Sequence, residues 1–307
     1  MAEVAMYDLI VIGGGPAGLT ATIYAVHKKL NVLMITRDLG GKTNYRLQLP
    51  FVERHMVING DEIVSRFSRE IEYLDYVLKM DNVEHVEAVE GGYSVKIAAG
   101  DLFRTRAIIV ATGSKGQLLD VPGEREFMMR GLCYSATSYA QLFLDRDVVV
   151  FGDGDLALLS AAELARVARH VTIVARSGKT METPLGLRLQ KMPHVEVLRN
   201  CVIKEIKGDT YARSVIVSTN GQEREISADG MFVEEELLPR SQIVASLVAL
   251  DEKKRIKVNC KNETSRPGIF AAGDVTDTYS EQVLISIGEG AKAALSAYEY
   301  LVKEGYI

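Results

Sequence analysis

The segment Leu9-Ile10-Val11-Ile12-Gly13-Gly14-Gly15-Pro16-Ala17-Gly18 leaves this chain few folds to choose from. Its apolar run, without polar alternation, reads as a strand buried on both faces, and the glycines read as a tight turn into the helical stretch from Leu19 to Ala25. Gly13 permits the turn, Gly15 lets backbone approach a pyrophosphate, and Gly18 lets the helix pack close to the strand. The helix N-terminus, opened by Pro16 and Ala17, offers unpaired N–H groups to an anion. A second apolar strand, Asn31-Val32-Leu33-Met34-Ile35, arrives at βαβ distance and runs into Thr36-Arg37-Asp38, where a ribose is expected to lie. These residues predict a nucleotide site on a parallel sheet.

The pattern recurs. Asp147-Val148-Val149-Val150-Phe151 leads into Gly152-Asp153-Gly154-Asp155-Leu156-Ala157, a helix is expected from Leu156 to Val167, and His170 to Val174 reads as the next strand. Between the two units, helical patterning covers about Asp61 to Leu74, alternating segments fill Glu84 to Ile97, and the buried strand Arg106 to Val110 ends in Ala111-Thr112-Gly113. After alternating strands over Val195 to Ile203 and Ser214 to Thr219, the strand Gly268-Ile269-Phe270-Ala271-Ala272-Gly273-Asp274 precedes a closing helix from about Glu281 to Val302. The expected fold class is α/β, with two tandem Rossmann-like domains of three-layer ββα type. The strand-end glycines after Val110 and Ala272 return the C-terminal piece to the first domain, which becomes discontinuous: 1–116 with 242–307, against 117–241 for the second.

Bulk properties narrow the chemistry. At 307 residues the chain has room for two cores, and its net charge of -5 argues against a general nucleic-acid binder. No apolar run reaches the roughly 18 residues of a membrane helix and no signal peptide is visible, so a cytoplasmic protein is expected. The three cysteines, Cys133, Cys201 and Cys260, are too scattered for a disulfide framework, and the five histidines lack ligand spacing, so no metal site is expected.

In their order and combination, Gly13 to Gly18, Gly40-Gly41, Ala111-Thr112-Gly113, Gly152 to Ala157, Gly268 to Asp274 and Glu281-Gln282-Val283 make the chain resemble the bacterial-type thioredoxin reductases and their flavoprotein relatives, over nearly its whole length. The resemblance implies that the first site holds FAD. It places Gly13, Gly15, Pro16, Ala17, Gly18, Thr36, Arg37, Gly41, Lys42, Val86, Ala111, Thr112, Gly113, Gly273, Asp274, Gln282 and Val283 at the cofactor. Asp274 is to hydrogen-bond the ribityl chain, although a carboxylate there also reads as a helix or turn cap. Gln282-Val283 are to offer N–H groups to the pyrimidine edge, where a helix N-terminus stabilises the negative charge of reduction. Lys42, Tyr134 and Tyr139 read first as packing or surface residues. A homodimer is also implied.

The departures matter as much. Where the family carries Cys-Ala-Thr-Cys-Asp, this chain has Ser135-Ala136-Thr137-Ser138-Tyr139. A serine hydroxyl forms neither a disulfide nor a flavin thiolate adduct, so Ser135 and Ser138 are vestigial redox positions and no dithiol relay runs through them. Two serines alone would also describe a trapped thioredoxin reductase, but the accompanying Tyr139 and Ala140 favour natural divergence. Cys133 reads as structural. In the second motif, Gly152, Gly154, Ala157 and Arg176 survive, but Asp153 puts a carboxylate near the expected pyrophosphate, one of the family's two phosphate-clamping arginines is gone, and Glu234-Glu235-Glu236 would repel an anionic cofactor unless they are merely a solvated face. NAD(P)H binding is therefore doubtful. The expected function is an FAD-dependent oxidoreductase drawing electrons from a protein donor such as ferredoxin, or weakly from a nicotinamide. The alternative is a flavin-binding redox sensor or assembly component.

Overall fold

The computed structural model describes residues 6–52, 60–72, 74 and 76–307. It divides into two compact units: Met1–Asn44, Ile58–Lys115 and Leu238–Ile307 form the first, Tyr45–Val57 and Gly116–Leu237 the second. Described residues 45–52 thus group with the second unit, where Leu49 joins the core, and 238–241 with the first. The second shift has a local cause: Leu238–Pro239 pairs antiparallel with Ser114–Lys115, so the two connecting strands are bonded to each other.

In the first unit, Met6–Ile12 lies between Val32–Thr36 and Leu102–Val110, parallel to both. Leu78–Met80 extends one edge, and Ile269–Ala271 pairs with the upper half of Leu102–Val110. The lower half of that strand turns away to pair antiparallel with Gly92–Ile97, which pairs with Val83–Val89. Alternation along the strands sorts the two faces. Leu9, Val11, Ala107 and Ile109 pack under the helices Pro16–His27 and Val283–Lys303, whereas Ile10, Ile12, Ile108 and Val110 pack against the antiparallel meander. This is a three-layer ββα arrangement. The two helices approach closely because Gly290 carries no side chain: a Cβ there would lie 2.1 Å from the Ala17 carbonyl oxygen.

The second unit repeats the plan. Its parallel sheet runs Val195–Arg199, His170–Ala175, Asp147–Phe151, Gly230–Val233, Leu132–Cys133. The helix Asp155–Leu164 covers one face, and the antiparallel sheet Cys201–Gly208, Ala212–Thr219, Gln222–Ser227 covers the other. The alternating stretch expected over Val195 to Ile203 divides between two strands, Val195–Arg199 and Cys201–Gly208, in different sheets. Asn200, at φ 54°, makes the corner, which a short amide side chain tolerates better than a branched one. Both units are α/β and Rossmann-like.

Candidate functional site

The first glycine turn has the geometry a nucleotide requires. Gly13 sits at φ 115°, and a Cβ on it would lie 2.3 Å from the Ala111 carbonyl oxygen; one on Gly18 would lie 1.8 Å from the Gly13 oxygen. These two glycines are demanded by the protein itself. Gly15 is different, because a Cβ on it would meet nothing within 4 Å. It is the N-cap of the helix, no side chain caps it, Pro16 opens the first turn and that turn holds no acidic residue. Open space in front of an uncapped helix N-terminus is a cradle for an anion. Gly113, at φ 67° on the neighbouring strand end, also faces open space.

Around this cradle the other expected residues gather within the first unit. The buried Thr36 donates its hydroxyl to the Asp38 carbonyl, and Asp38 Oδ1 accepts from the Gly41 N–H at 3.1 Å, which folds the turn Gly41–Asn44 back toward Gly15. Arg37 is exposed at the strand end. The Thr112 hydroxyl donates to the Arg240 carbonyl at 2.6 Å. Gly273, at φ 77°, turns the chain from Ile269–Ala271 into Asp274. Gln282 is the N-cap of the closing helix and Val283 its first residue, again without a side-chain cap. Val86 is buried in the meander core opposite Val95, so its side chain is taken up by packing. These features fit the adenine-dinucleotide group that the resemblance implies, with the pyrophosphate at Gly15 and the hydroxyl-bearing chain at Asp274.

Lys42 was the least legible member of the set. Its Nζ lies 2.7 Å from Asp274 Oδ2, 2.7 Å from Glu281 Oε2 and 2.9 Å from Ser114 Oγ. Ser114 in turn donates to Glu281 at 3.1 Å, and Ser286 donates to Asp274 Oδ1 at 3.3 Å. Burial lowers the lysine's pKa, but the two carboxylates outweigh it and the net shift is upward, so the ammonium stays charged. Burial, partly opposed by Lys42, pushes Glu281 up. Neither Ser114 nor Glu281 was given a place at the cofactor from the sequence, although Glu281 opens the Glu281-Gln282-Val283 motif. Their signal was the position of Glu281 immediately before the Gln282-Val283 pair.

The second glycine turn copies the backbone of the first and differs in the charges around it, beginning with Asp155 in the first turn of its helix. The registers match, Ile12 with Val110 in one unit and Phe151 with Val233 in the other. A Cβ on Gly152 would lie 2.4 Å from the Glu234 carbonyl oxygen, just as one on Gly13 meets Ala111; Gly154, like Gly15, faces open space and caps its helix without a side chain. Glu234-Glu235-Glu236 therefore stand where the first unit has Ala111-Thr112-Gly113, and Asp153 stands where it has Gly14. The Asp153 carboxylate does not lie toward the helix N-terminus. It accepts from the N–H of Ser177 at 2.9 Å and of Gly178 at 3.1 Å, and from the Ser177 hydroxyl, at the end of the second strand. Arg176 pairs with Glu235 at 2.8 Å and stacks over Phe151, its carbon 5.0 Å from the ring centre.

Nor are the three glutamates one solvated face, for only Glu236 is exposed. Glu234 is 3 % exposed, and its Oε1 accepts from the Ala136 N–H at 2.7 Å; burial raises its pKa to about 7 against that bond and one from Ser160. Burial also raises Glu235, opposed by Arg176 and reinforced by Asp153 and Glu236. The Ser135 hydroxyl donates to Ser138 Oγ at 3.1 Å, one turn apart, and Glu234 holds the backbone between them. Cys133 is fully buried with its thiol on the Met231 carbonyl, and burial pushes its pKa well up, so it is no thiolate. Tyr134 is spent on the fold: it donates to Glu124 at 2.9 Å, a carboxylate that also accepts from Leu119 and Asp120. Among the described residues, no cluster of three or more metal-binding side chains occurs and no helix is long and apolar enough to cross a membrane.

Comparison with known proteins agrees with this fold. A sequence model of the pyridine nucleotide-disulphide oxidoreductases matches residues 7–290. The alkyl hydroperoxide reductase F subunit of Staphylococcus aureus is 30 % identical over 301 residues, covering 97 % of this chain and 59 % of that protein; its Pseudomonas aeruginosa counterpart is 31 % identical, covering 97 % and 58 %. The chain thus spans less than two thirds of these relatives. Of solved structures, a thioredoxin reductase from Streptococcus pyogenes superposes with a TM-score of 0.88 at 30 % identity, covering 98 % of this chain and 100 % of that one. One from Giardia duodenalis gives 0.86 at 26 %, covering 97 % and 99 %.

Proposed function

The chain belongs to the pyridine nucleotide-disulphide oxidoreductase family, and on that premise we propose that it is an FAD-dependent oxidoreductase whose electrons enter from a protein carrier rather than from NADPH. The observation that carries the proposal is the contrast between two equivalent strand ends. In the first unit the turn is flanked by the uncharged Ala111-Thr112-Gly113; in the second, Asp153 occupies the N–H groups of Ser177 and Gly178, and Glu235 occupies Arg176. An incoming phosphate would have to displace two carboxylates and then remain beside them, and like charges at such distances repel strongly in a partly buried site.

In the first unit, the N-terminus of Pro16–His27 binds the pyrophosphate, Asp274 accepts from the ribityl hydroxyls, and the Gln282-Val283 N–H groups orient the pyrimidine edge. When bound, FAD supplies storage for two electrons and their exchange with one-electron or two-electron partners. Ser135 and Ser138 can relay none of these electrons, so the acceptor is a separate molecule that meets the cofactor directly. The relatives' names support a role in passing electrons onward, to a hydroperoxide in one group and to thioredoxin in the other. The resemblance of its motifs to the bacterial-type thioredoxin reductases also implies a homodimer.

Anaerobic titration of the FAD-loaded protein tests the reading through the flavin absorbance. Two equivalents of a reduced one-electron carrier, ferredoxin being the probe, bleach one flavin, whereas stoichiometric NADPH or NADH leaves it oxidised over minutes. Rapid bleaching by NADPH sinks the proposal. A flavin that ferredoxin, NADPH and NADH all fail to reduce favours a flavin-binding sensor or assembly component instead.

A further inference from the structure

Lys42 is a charged group of the first site that neither the turn geometry nor the anion cradle accounts for. Four segments of the first unit meet at its ammonium: the turn Gly41–Asn44, the strand end at Ser114, the strand end at Asp274, and Glu281 just before the closing helix. Two carboxylates share one lysine, which leaves the cluster with a net negative charge. Asp274 and Glu281 are 13 % and 28 % exposed, so both have lost much of their water. An ion cluster of this kind is weak evidence of a role in stability alone, because the desolvation of such groups can exceed their mutual attraction. It does place a compensating positive charge and an uncompensated negative one beside the residues that would hold the flavin's ribityl chain and pyrimidine edge.

Resting on the FAD reading above, we propose that Lys42 and Glu281 are an opposed pair that sets the reduction potential of the flavin, with Lys42 also fixing the Asp274 carboxylate in place. A bound flavin would take on negative charge at its pyrimidine side on reduction, and charged groups of the site that would hold that side would act on it. Removing the ammonium leaves two carboxylates facing that charge, which disfavours the reduced form. Removing Glu281 does the reverse.

The test uses the full chain loaded with FAD and reduced anaerobically by dithionite against a reference dye, with FAD affinity read separately from flavin fluorescence. Lys42→Met lowers the ratio of reduced to oxidised FAD affinity at least tenfold, a shift of about 30 mV to more negative potential for a two-electron couple. Glu281→Gln moves it by a similar amount the other way, and Lys42→Arg stays near the wild type. Opposite signs are the signature, since a merely structural role would move both variants together or neither. Shifts of the same sign, or an unshifted Glu281→Gln protein, overturn the inference even if Lys42→Met fails to hold cofactor. A wild-type chain that binds no FAD instead overturns the reading beneath it.

Discussion

Gly15 and Gly18 stand three residues apart and answer to different masters. A Cβ at Gly18 would lie 1.8 Å from the Gly13 oxygen, inside any tolerable contact, so Gly18→Ala must force the helix off its strand; a loss of about 1–3 kcal/mol is usual for such overpacking. Gly15 faces open space, so Gly15→Ala leaves the apo-protein's melting temperature nearly unchanged and weakens FAD binding at least tenfold. Thermal melts with and without FAD separate the two, and equal losses of fold in both variants would contradict the assignment of Gly15 to the ligand. The motif was legible because glycine is the only residue type for such positions. The partners of Lys42 were not, because Ser114, Asp274 and Glu281 come from distant stretches of sequence and nothing local pairs them.

At the scale of elements, one strand of each unit, Leu102–Val110 in the first and Gly230–Val233 in the second, ends over the glycine turn, and the residues just past that end set the charge beside it. Gly230–Val233 ends in Glu234, whose carboxylate reaches under the Ser135–Ser138 turn to bond the Ala136 N–H. Because burial raises its pKa from 4.5 to about 7, the folded state keeps a proton that the unfolded chain has released between those values. Stability therefore falls as pH rises from about 4.5 to 7 and stays low above, by at most about 3 kcal/mol at 1.36 kcal/mol per unit. Glu234→Gln keeps an acceptor for Ala136 and removes the titration. Denaturant melts across that range are expected to slope for the wild type and to flatten for the variant, which becomes the more stable of the two above pH 7; parallel slopes would refute the role of Glu234. The sequence marked these glutamates only as a charge run, since burial of one member is settled by the sheet above it.

For the whole molecule, two units of one design serve unequal ends, and ligand-linked stability reads the inequality. FAD at a hundred times its dissociation constant stabilises the protein by about 2.7 kcal/mol, whereas NADPH at millimolar concentration leaves its melting temperature unchanged. Asp153→Gly with Glu235→Thr gives the second unit the residue types of Gly14 and Thr112, and NADPH is expected to raise the melting temperature of that variant; no gain would mean that the obstruction lies elsewhere. The sequence by itself determined the α/β class, the repeat of the βαβ unit and the glycine turns, because periodicity and obligatory glycines are local properties written into consecutive residues. Only the tertiary structure decided that Asp153 turns away from the pyrophosphate position to the Ser177 and Gly178 N–H groups, that Arg176 is taken by Glu235, and that Lys42 joins Asp274 and Glu281. The choice of a charged side chain's partner depends on which strand ends the fold brings together and how much water it removes from them, and neither is encoded within any one segment.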